Sequence, residues 1–387
     1  MSEIVRRVPC EEDRVHMAVV CRSWHAALAK LDPPPPPLPC LLLPSDDLTR
    51  TYCILSGCRS HHQYHDQVGV RYFGSYDGGY IFVALDQTRR HRLVDLSTGG
   101  IHILPDVVCP RYHPSVQHVH NMVILAATLS SPPDDPDSVA AGIVTYQRDG
   151  DGPRHRRYAF WRMGAGVAFD TMPPHNPDPT DPNSAVEDVV YRNEAFHFLT
   201  HGEDIDVCAP AFAENVNMGA VVATTTRRFL PRDGGNDVFV RARYLVQSRG
   251  ELLMVVRFTP HPQFPTSEFK VFRMIGPQMP DDDGGGGVFG YPWSWSQLDT
   301  LGGRMLFVGR GCSRSYEVAS YPGFDNGVYF SDDRSFYDEE IMFRGVNERQ
   351  YPCSDNGKWS EGPPPDAEHF FPEQGPSNHS SPAWLLI

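Results

Sequence analysis

The sequence has no apolar run long enough to span a bilayer and no segment that resembles a secretory signal peptide. A transmembrane helix needs about 18 consecutive apolar residues, and no stretch of the 387 residues approaches that length. Residues 1–9 carry Glu3, Arg6 and Arg7 where a signal peptide would have its apolar core. These absences predict a cytoplasmic or nuclear protein that binds no membrane.

Cysteine is too sparse for a disulfide framework. The nine cysteines are an odd number, lie scattered from Cys10 to Cys353 and form no CxxC pair. A secreted disulfide scaffold would have a denser and even set. The pattern predicts free thiols in a reducing compartment.

The chain also has fewer positively charged than negatively charged residues. The chain has 34 Lys and Arg against 48 Asp and Glu, which gives a formal net charge of -14. An acidic surface repels phosphate backbones, so we expect no binding to nucleic acid.

Motifs of catalysis and of metal binding are missing or incomplete. The sequence has no GxSxG, P-loop or HExxH motif. Residues 309–313, GRGCS, look like a nucleophile turn, but a reactive Cys312 would need a lowered pKa and a positioned base. The best metal-like cluster, HHQYHD at residues 61–66, would divide its ligands between two strand faces. We therefore predict no catalytic residue, no metal and no cofactor, and keep a metal-dependent hydrolase as a remote alternative.

Only residues 12–31 have a long helical period. Their main apolar stripe has spacings of four, three, four and three and consists of Met17, Cys21, Trp24, Leu28 and Leu31. The helix must end at Asp32, because five prolines follow from Pro33. So small a helical head cannot bury two apolar faces alone. It either docks on the following domain or keeps one face for a partner, and the polyproline run predicts a stiff spacer that opposes docking.

From about residue 41 the hydrophobic period changes to two, and turn signals separate short strands. The predicted strands are 80–84, 92–96, 122–126, 142–146, 189–191, 195–199, 244–247, 252–258, 269–274, 304–308 and 328–330. Some 340 such residues exceed one sandwich, whereas blades of about 40–50 residues would give a propeller of six to eight blades. We predict a mainly β protein with a helical module at 1–32, a proline-rich linker at 33–40 and a β-propeller at 41–387.

Several segments have the composition of loops. Residues 131–137, 172–183 and 280–287 are rich in Pro, Asp or Gly, which predicts mobile surface loops, and the tail 362–382 is similar. The apolar end of the chain, from Trp384 to Ile387, is predicted to form a closing strand.

The residues also resemble a known family. The segment from Arg7 to Leu28, with its Val-Cys-Arg-Ser-Trp core at 20–24, resembles the later part of a plant F-box. The remainder is similar to plant F-box proteins with a KIB-type β-propeller. The segments that carry this likeness are GSYDGG at 74–79, DLSTG at 95–99, YLVQSRGELL at 244–253, LGG at 301–303 with GRGCSRS at 309–315, and GVYFSDD at 327–333.

The resemblance implies the substrate-recognition adaptor of an SCF-type E3 ubiquitin ligase, with no catalysis on this chain. In such adaptors the F-box binds a Skp-type protein, which connects it to a cullin scaffold, and the C-terminal domain captures the protein target. By position, the residues that would make or support the Skp contact are Ile4, Val8, Pro9, Val15, Val19 and Trp24. Trp24 fits the core of the F-box equally well, and for the other five, packing within the module is nearly as good an interpretation.

One departure from the family pattern weakens this interpretation. Family members usually begin with a Leu-Pro pair and an apolar helix, which residues 1–7 here reduce to a short piece. At about 25 cal/mol per Å2, a missing helical turn would remove several kcal/mol of binding. The alternative is a stand-alone β-propeller interaction module that no longer binds Skp.

Overall fold

The computed structural model describes residues 4, 8, 11–29, 36–44, 50–54, 58–59, 69–110, 119–147, 155–171, 184–212, 220–231, 239–276 and 293–387. Near the N-terminus, these residues form the α-helices α1 (Glu11–Val20) and α2 (Arg22–Leu28). Within the described ranges, no helix is both long and apolar enough to cross a membrane.

The strands form six sheets, which are the six blades of a propeller. Blade 1 contains β1 (Cys40–Leu43), β2 (Arg50–Cys53), β3 (Cys58–Arg59) and the last strand of the chain, β27 (Ala383–Leu385). Blade 2 contains β4 (Arg71–Tyr76), β5 (Tyr80–Ala84), β6 (His91–Asp95) and β7 (Ile101–Ile103). Blade 3 contains β8 (Val107–Pro110), β9 (His120–Asn121), β10 (Val123–Leu129), β11 (Val139–Tyr146), β12 (His155–Arg162) and β13 (Ala168–Thr171).

The second half of the ring has the same plan. Blade 4 contains β14 (Val186–Arg192), β15 (Ala195–Thr200), β16 (Ile205–Phe212) and β17 (Ala220–Arg227). Blade 5 contains β18 (Phe239–Ser248), β19 (Glu251–Thr259), β20 (Glu268–Ile275) and β21 (Ser294–Gln297). Blade 6 contains β22 (Arg304–Val308), β23 (Arg314–Glu317), β24 (Gly327–Phe330), β25 (Gly357–Ser360) and β26 (Asp366–His369). The predicted mainly β propeller is confirmed, with six blades.

Two blades depart from the four-stranded meander. In blade 3, β8 pairs in parallel with β13, so the hairpin of β8 and β9 extends the outer edge of the sheet. In blade 6, β22 pairs in parallel with β24, and β23 returns to the opposite edge. These additions make blades 3 and 6 differ from the other blades in strand number and order.

The two ends of the propeller domain meet in blade 1. β27 pairs antiparallel with β1, with Cys40 opposite Leu385. The buried Trp384 donates a hydrogen bond from Nε1 to the carbonyl oxygen of Val308, at 2.9 Å. The predicted closing strand is confirmed, and its pairing closes the ring so that blade 1 is not left with an open inner edge.

The single helix predicted over 12–31 is wrong. Cys21 adopts extended backbone angles, φ -163° and ψ 164°, and divides the segment into α1 and α2. Val19 and Val20 immediately precede the break, and β-branched side chains have a lower helix propensity than unbranched ones. The amphipathic pattern of the sequence continues across Cys21, although the two preceding valines disfavour a helix.

Segments predicted as linker or mobile loop belong in part to the fold. Leu38, within the predicted linker, is buried, and the carbonyl oxygen of Pro36 accepts a hydrogen bond from Tyr321 Oη at 2.6 Å. In the tail 362–382, Ser377 and Tyr351 exchange backbone hydrogen bonds of 2.9 Å. Ser138 Oγ donates to the carbonyl oxygen of Ser131 at 2.9 Å, so 131–137 forms a hydrogen-bonded turn. The segments 172–183 and 280–287 lie outside the described residues.

Residues 309–313, named the axial loop here, connect β22 to β23 and reach across the centre of the ring. A Cβ atom at Gly311 would lie 2.5 Å from the carbonyl oxygen of Ala127 in blade 3. A Cβ atom at Gly74 in blade 2 would lie 3.5 Å from the carbonyl oxygen of Arg310. The axial loop of blade 6 therefore packs against the inner strands of blades 2 and 3.

We expect Gly311→Ala to lower the free energy of unfolding by about 3 kcal/mol, measured by urea denaturation. The methyl group would overlap Ala127, and the φ of +71° at position 311 is strained for any residue with a Cβ. Gly99→Ala is a matched control, because Gly99 has a similar φ of +75° but no atom within 4 Å of its added Cβ. It should cost only about 1 kcal/mol, the strain of the backbone alone. Equal losses in the two variants would contradict the close packing of the axial loop.

Candidate functional site

The helical head presents apolar side chains to solvent. Val15 and Val19 lie four residues apart on one side of α1 and are 52% and 77% exposed. Val20 and Ile4 are also exposed. Because α1 and α2 contact each other, the two helices bury part of their apolar surface against each other. The side of α1 that carries Val15 and Val19 stays exposed to solvent.

The other predicted contact residues are less exposed. Trp24 on α2 is half-buried, which is compatible with both interpretations of its role. Val8 is half-buried as well, and its carbonyl oxygen accepts a hydrogen bond of 2.6 Å from Arg14 Nε. Pro9 lies outside the described residues. Of the six candidates, the structure therefore places Ile4, Val15 and Val19 in solvent.

The propeller core does not cover this apolar side. The six buried hydrophobic clusters that fill and join the blades contain no residue of the described head segment, 11–29. The clusters do contain Leu38, immediately after the proline run. Among the described residues, the core thus begins at Leu38, within the predicted linker, and α1 keeps an exposed apolar side.

At the centre of the ring lies a chain of alternating charges, named the central ion network here. It runs through Glu187, Arg310, Asp333, Arg257 and Asp355 and joins blades 4, 5 and 6. Arg310 lies 3.4 Å from Glu187 Oε2 and 3.3 Å from Asp333 Oδ2. Arg257 lies 3.2 Å from Asp333 Oδ1 and 2.9 Å from Asp355 Oδ2. Each buried charge has partners of opposite sign, the condition under which buried ions are tolerated.

The network favours the charged forms of Glu187, Asp355 and Arg310. Burial alone would raise the pKa of Glu187, but the hydrogen bond from His201 and the charge of Arg310 hold it at about 2. Burial likewise opposes ionisation of Asp355, and Arg257 and His369 outweigh it and lower its pKa. The pKa of Arg310 is raised, because Tyr337, Asp333 and Glu187 outweigh its desolvation. Because these charged groups are paired with one another, the network favours a structural role over proton transfer.

Asp188 ties three blades together through backbone hydrogen bonds. Its Oδ1 accepts from the N–H of Gly311 at 2.7 Å and of Val189 at 2.8 Å. Its Oδ2 accepts from the N–H of Leu245 at 2.7 Å. A β-bulge in β14 shifts the register between Val186 and Asp188, so that the consecutive Glu187 and Asp188 are both buried. Burial raises the pKa of Asp188 to about 7, although the three N–H groups and Arg310 oppose the rise.

The axial loop does not have the properties of a nucleophile turn. Cys312 is 3% exposed, and burial raises the pKa of its thiol to about 11, with Arg314 opposing the rise. A thiol held neutral is a poor nucleophile. The predicted structural turn between two strands is the arrangement found.

The possible metal ligands are not brought together within the described ranges. No group of three or more His, Cys, Asp or Glu side chains there could hold a metal ion. A second histidine pair in the sequence is His118 and His120: His120 packs against the ring of Tyr146, with the ring centroids 5.6 Å apart, and His118 lies outside the described residues. The cluster at 61–66 lies outside the described residues.

The sequence interpretation missed the central ion network because its members are distant along the chain. Arg310 and Glu187 are separated by 123 residues. One signal was present: Glu187, Asp188 and Arg257 interrupt strands that are otherwise largely apolar. Charged residues are seldom fully buried without partners, so such interruptions predict partners elsewhere in the fold.

The raised pKa of Asp188 makes a testable contribution to stability. In the unfolded chain its carboxyl ionises near pH 4, whereas in the folded protein it keeps its proton until about pH 7. The unfolded state therefore binds fewer protons in this range, and this contribution to stability falls as the pH rises. We expect the free energy of unfolding of the native protein, relative to Asp188→Asn, to fall by about 2 kcal/mol between pH 5 and pH 8.

Asp95→Asn is the control for this measurement. The hydroxyls of Ser97 and Thr98 lower the pKa of Asp95 to about 2, so this carboxyl is ionised in both states throughout the range. Its difference from the native protein should stay constant. A constant difference for Asp188→Asn as well would mean that Asp188 is ionised throughout this range.

Comparison with known proteins identifies the family of the propeller. The model of the family described as KIB1-4 beta-propeller matches residues 52–352. Among solved structures, the beta-propeller domain of Cps50 (Swd1) from Myceliophteria thermophila matches with 11% identity and a TM-score of 0.28, covering 78% of this chain and 91% of that chain. No curated protein sequence matches significantly. The family match covers most of the chain and four of the six blades, blades 2 to 5, completely. The chain therefore belongs to the KIB1-4 beta-propeller family.

Proposed function

We propose that this chain is the substrate-recognition adaptor of an SCF-type E3 ubiquitin ligase. The helical head binds a Skp-type protein, through which a cullin scaffold is engaged, and the propeller binds the protein that is to be ubiquitinated. The observation that carries the proposal is the exposed apolar side of α1, formed by Val15, Val19 and Val20.

The composition of this side supports a protein contact. The ten-residue helix α1 exposes three valines, which are 52%, 77% and 69% accessible to solvent. Exposing this apolar surface to water is energetically unfavourable in a free monomer. Contiguous exposed apolar surface is typical of protein interfaces. Because Val15 and Val19 lie four residues apart on one side of the helix, the partner would bind them as a pair, with Val20 beside them. A Skp-type protein is the partner that the F-box resemblance of residues 7–28 implies.

The organisation of the propeller supports a role as a rigid platform. Its ring is closed by β27, and its centre is held by the axial loop and the central ion network. An adaptor must hold its target in a defined position relative to the ligase, which a rigid domain does better than a mobile one.

A non-catalytic role is part of this proposal. Cys312, the candidate nucleophile of the sequence, has a raised pKa. The carboxylates of the central ion network are neutralised by arginines. Both observations favour binding over chemistry on this chain.

The proposal is tested by co-expressing the chain with a Skp-type protein and measuring co-elution and affinity. Val19→Asp should weaken the complex by about 100-fold or more, because it would bury a carboxylate without a partner, at a cost of several kcal/mol. Ser23→Asp, which adds the same charge at an exposed position of α2, is the matched control and should bind more tightly than Val19→Asp. Circular dichroism of both variants confirms that they are folded.

The three outcomes separate the alternatives. Loss of binding in Val19→Asp alone supports the assigned face. Equal binding by the native chain and Val19→Asp means that Skp binds elsewhere. If the native chain does not bind at all, the adaptor proposal fails, and the stand-alone interaction module replaces it.

A further inference from the structure

Arg71, the first residue of β4, is a buried cation with spare hydrogen-bond donors. Its side chain donates from Nε to the carbonyl oxygen of Gln87 and from Nη2 to the carbonyl oxygen of Ile124, both at 2.7 Å. The residue is only 5% exposed. A guanidinium has five N–H groups, so these two bonds leave three for other acceptors.

Arg71 differs from the other buried arginines at the centre of the ring. Arg257 and Arg310 each contact two carboxylates. Among the described residues, the guanidinium of Arg71 hydrogen-bonds the two carbonyl groups and lies over the ring of Phe73, whose centroid is 5.2 Å from the guanidinium carbon. Burial lowers the pKa of Arg71 to about 10, and Tyr351 opposes the shift only in part. A buried charge is normally neutralised by a counter-charge, and within the described residues no carboxylate supplies one.

Arg71 lines a cavity of about 80 Å3 near the axis of the ring. Arg310 and Asp333 of blade 6 line it too, together with Ser331, whose hydroxyl forms no hydrogen bond with the described residues. The charge of Asp333 is already matched by Arg257 and Arg310. The charge of Arg71 is therefore the unmatched charge in the cavity wall.

The size and chemistry of the cavity restrict its ligand. A space of this volume holds a small ion and a few waters, whereas organic ligands of drug size fill pockets of about 300–1,000 Å3. Guanidinium groups bind oxyanions through paired N–H groups, and the planar fork matches phosphate and carboxylate oxygens. Phe336 and Met342 cover part of the wall, which reduces competition from bulk water.

We propose that this cavity binds one small oxyanion of the size and charge of phosphate, with Arg71 as its cationic ligand and the Ser331 hydroxyl as a further donor. The bound anion neutralises Arg71 and bridges blade 2 to blade 6 across the axis. The site is independent of the helical head and does not depend on the proposed function of the chain.

Titration calorimetry and thermal unfolding of the full chain with inorganic phosphate test this proposal. Chloride at matched ionic strength corrects for general salt effects. The native chain should bind one phosphate, and its melting temperature should rise by a few degrees in a saturable way. Arg71→Met keeps the length of the side chain but removes its charge and donors, so the phosphate affinity should fall at least tenfold. Ser331→Ala should reduce it several-fold.

Arg249→Met is the matched control. Arg249 is an exposed arginine that lies 2.5 Å from Glu317 on the surface of the ring, so the loss of its charge should leave phosphate binding unchanged. If Arg71→Met does not fold, Arg71→Lys and Ser331→Ala decide the question, because both keep the packing of the cavity wall. The proposal is overturned if phosphate stabilises the native chain no more than chloride does. It is also overturned if the variants of Arg71 and Ser331 bind phosphate as tightly as the native chain.

Discussion

The propeller depends on how the axial loop is held at the centre of the ring. Asp188 of blade 4 accepts N–H groups from the axial loop and from β18 of blade 5. The absence of a side chain at Gly311 lets the same loop approach Ala127 of blade 3. A carboxylate with three backbone donors, buried away from water, fixes its partners more strictly than apolar packing does, because hydrogen bonds are directional. The spacing of the inner strands around the axis follows from this constraint.

The central ion network and the closing strand extend that constraint to the rest of the ring. Arg257 and Arg310 join blades 4, 5 and 6 through carboxylates, and β27 joins the end of the domain to its beginning. Blades 3 and 6 can therefore differ from the four-stranded meander at their edges without loss of the common architecture. The family match over residues 52–352 covers the axial loop and the network from Glu187 to Asp333. Asp355, β1 and β27 of blade 1, and β25 and β26 of blade 6 lie outside it.

The two parts of the chain use apolar surface differently. In the propeller, side chains such as Trp161 and Phe160 are fully buried between strands. In α1, Val15 and Val19 lie in solvent, although the same kind of residue would be buried in a propeller strand. This contrast favours a division of labour in which the head binds by apolar contact and the propeller acts as a platform. The anion site proposed at Arg71 belongs to the platform and would strengthen its centre.

The sequence by itself determined the fold class and many of the strands. Short apolar runs bounded by turn residues located β5 and β22 to the residue, because such strands and tight turns are encoded locally. The outer strands β7, β9 and β21 were missed, because edge strands bury less surface and carry a weaker pattern. The inner strand β4 and the middle strands β12 and β16 were missed as well. The F-box resemblance singled out Val15 and Val19 of the exposed apolar side of α1, but the break at Cys21 could not be predicted, since the helical period continues across it.

Only the tertiary structure decided the centre of the ring. The pairing of Arg310 with Glu187 and the surroundings of Arg71 involve residues from different blades. Local sequence indicates that a buried charge needs a partner. It does not indicate which partner, because the distances that decide electrostatic interactions exist only after the six blades have closed into a ring.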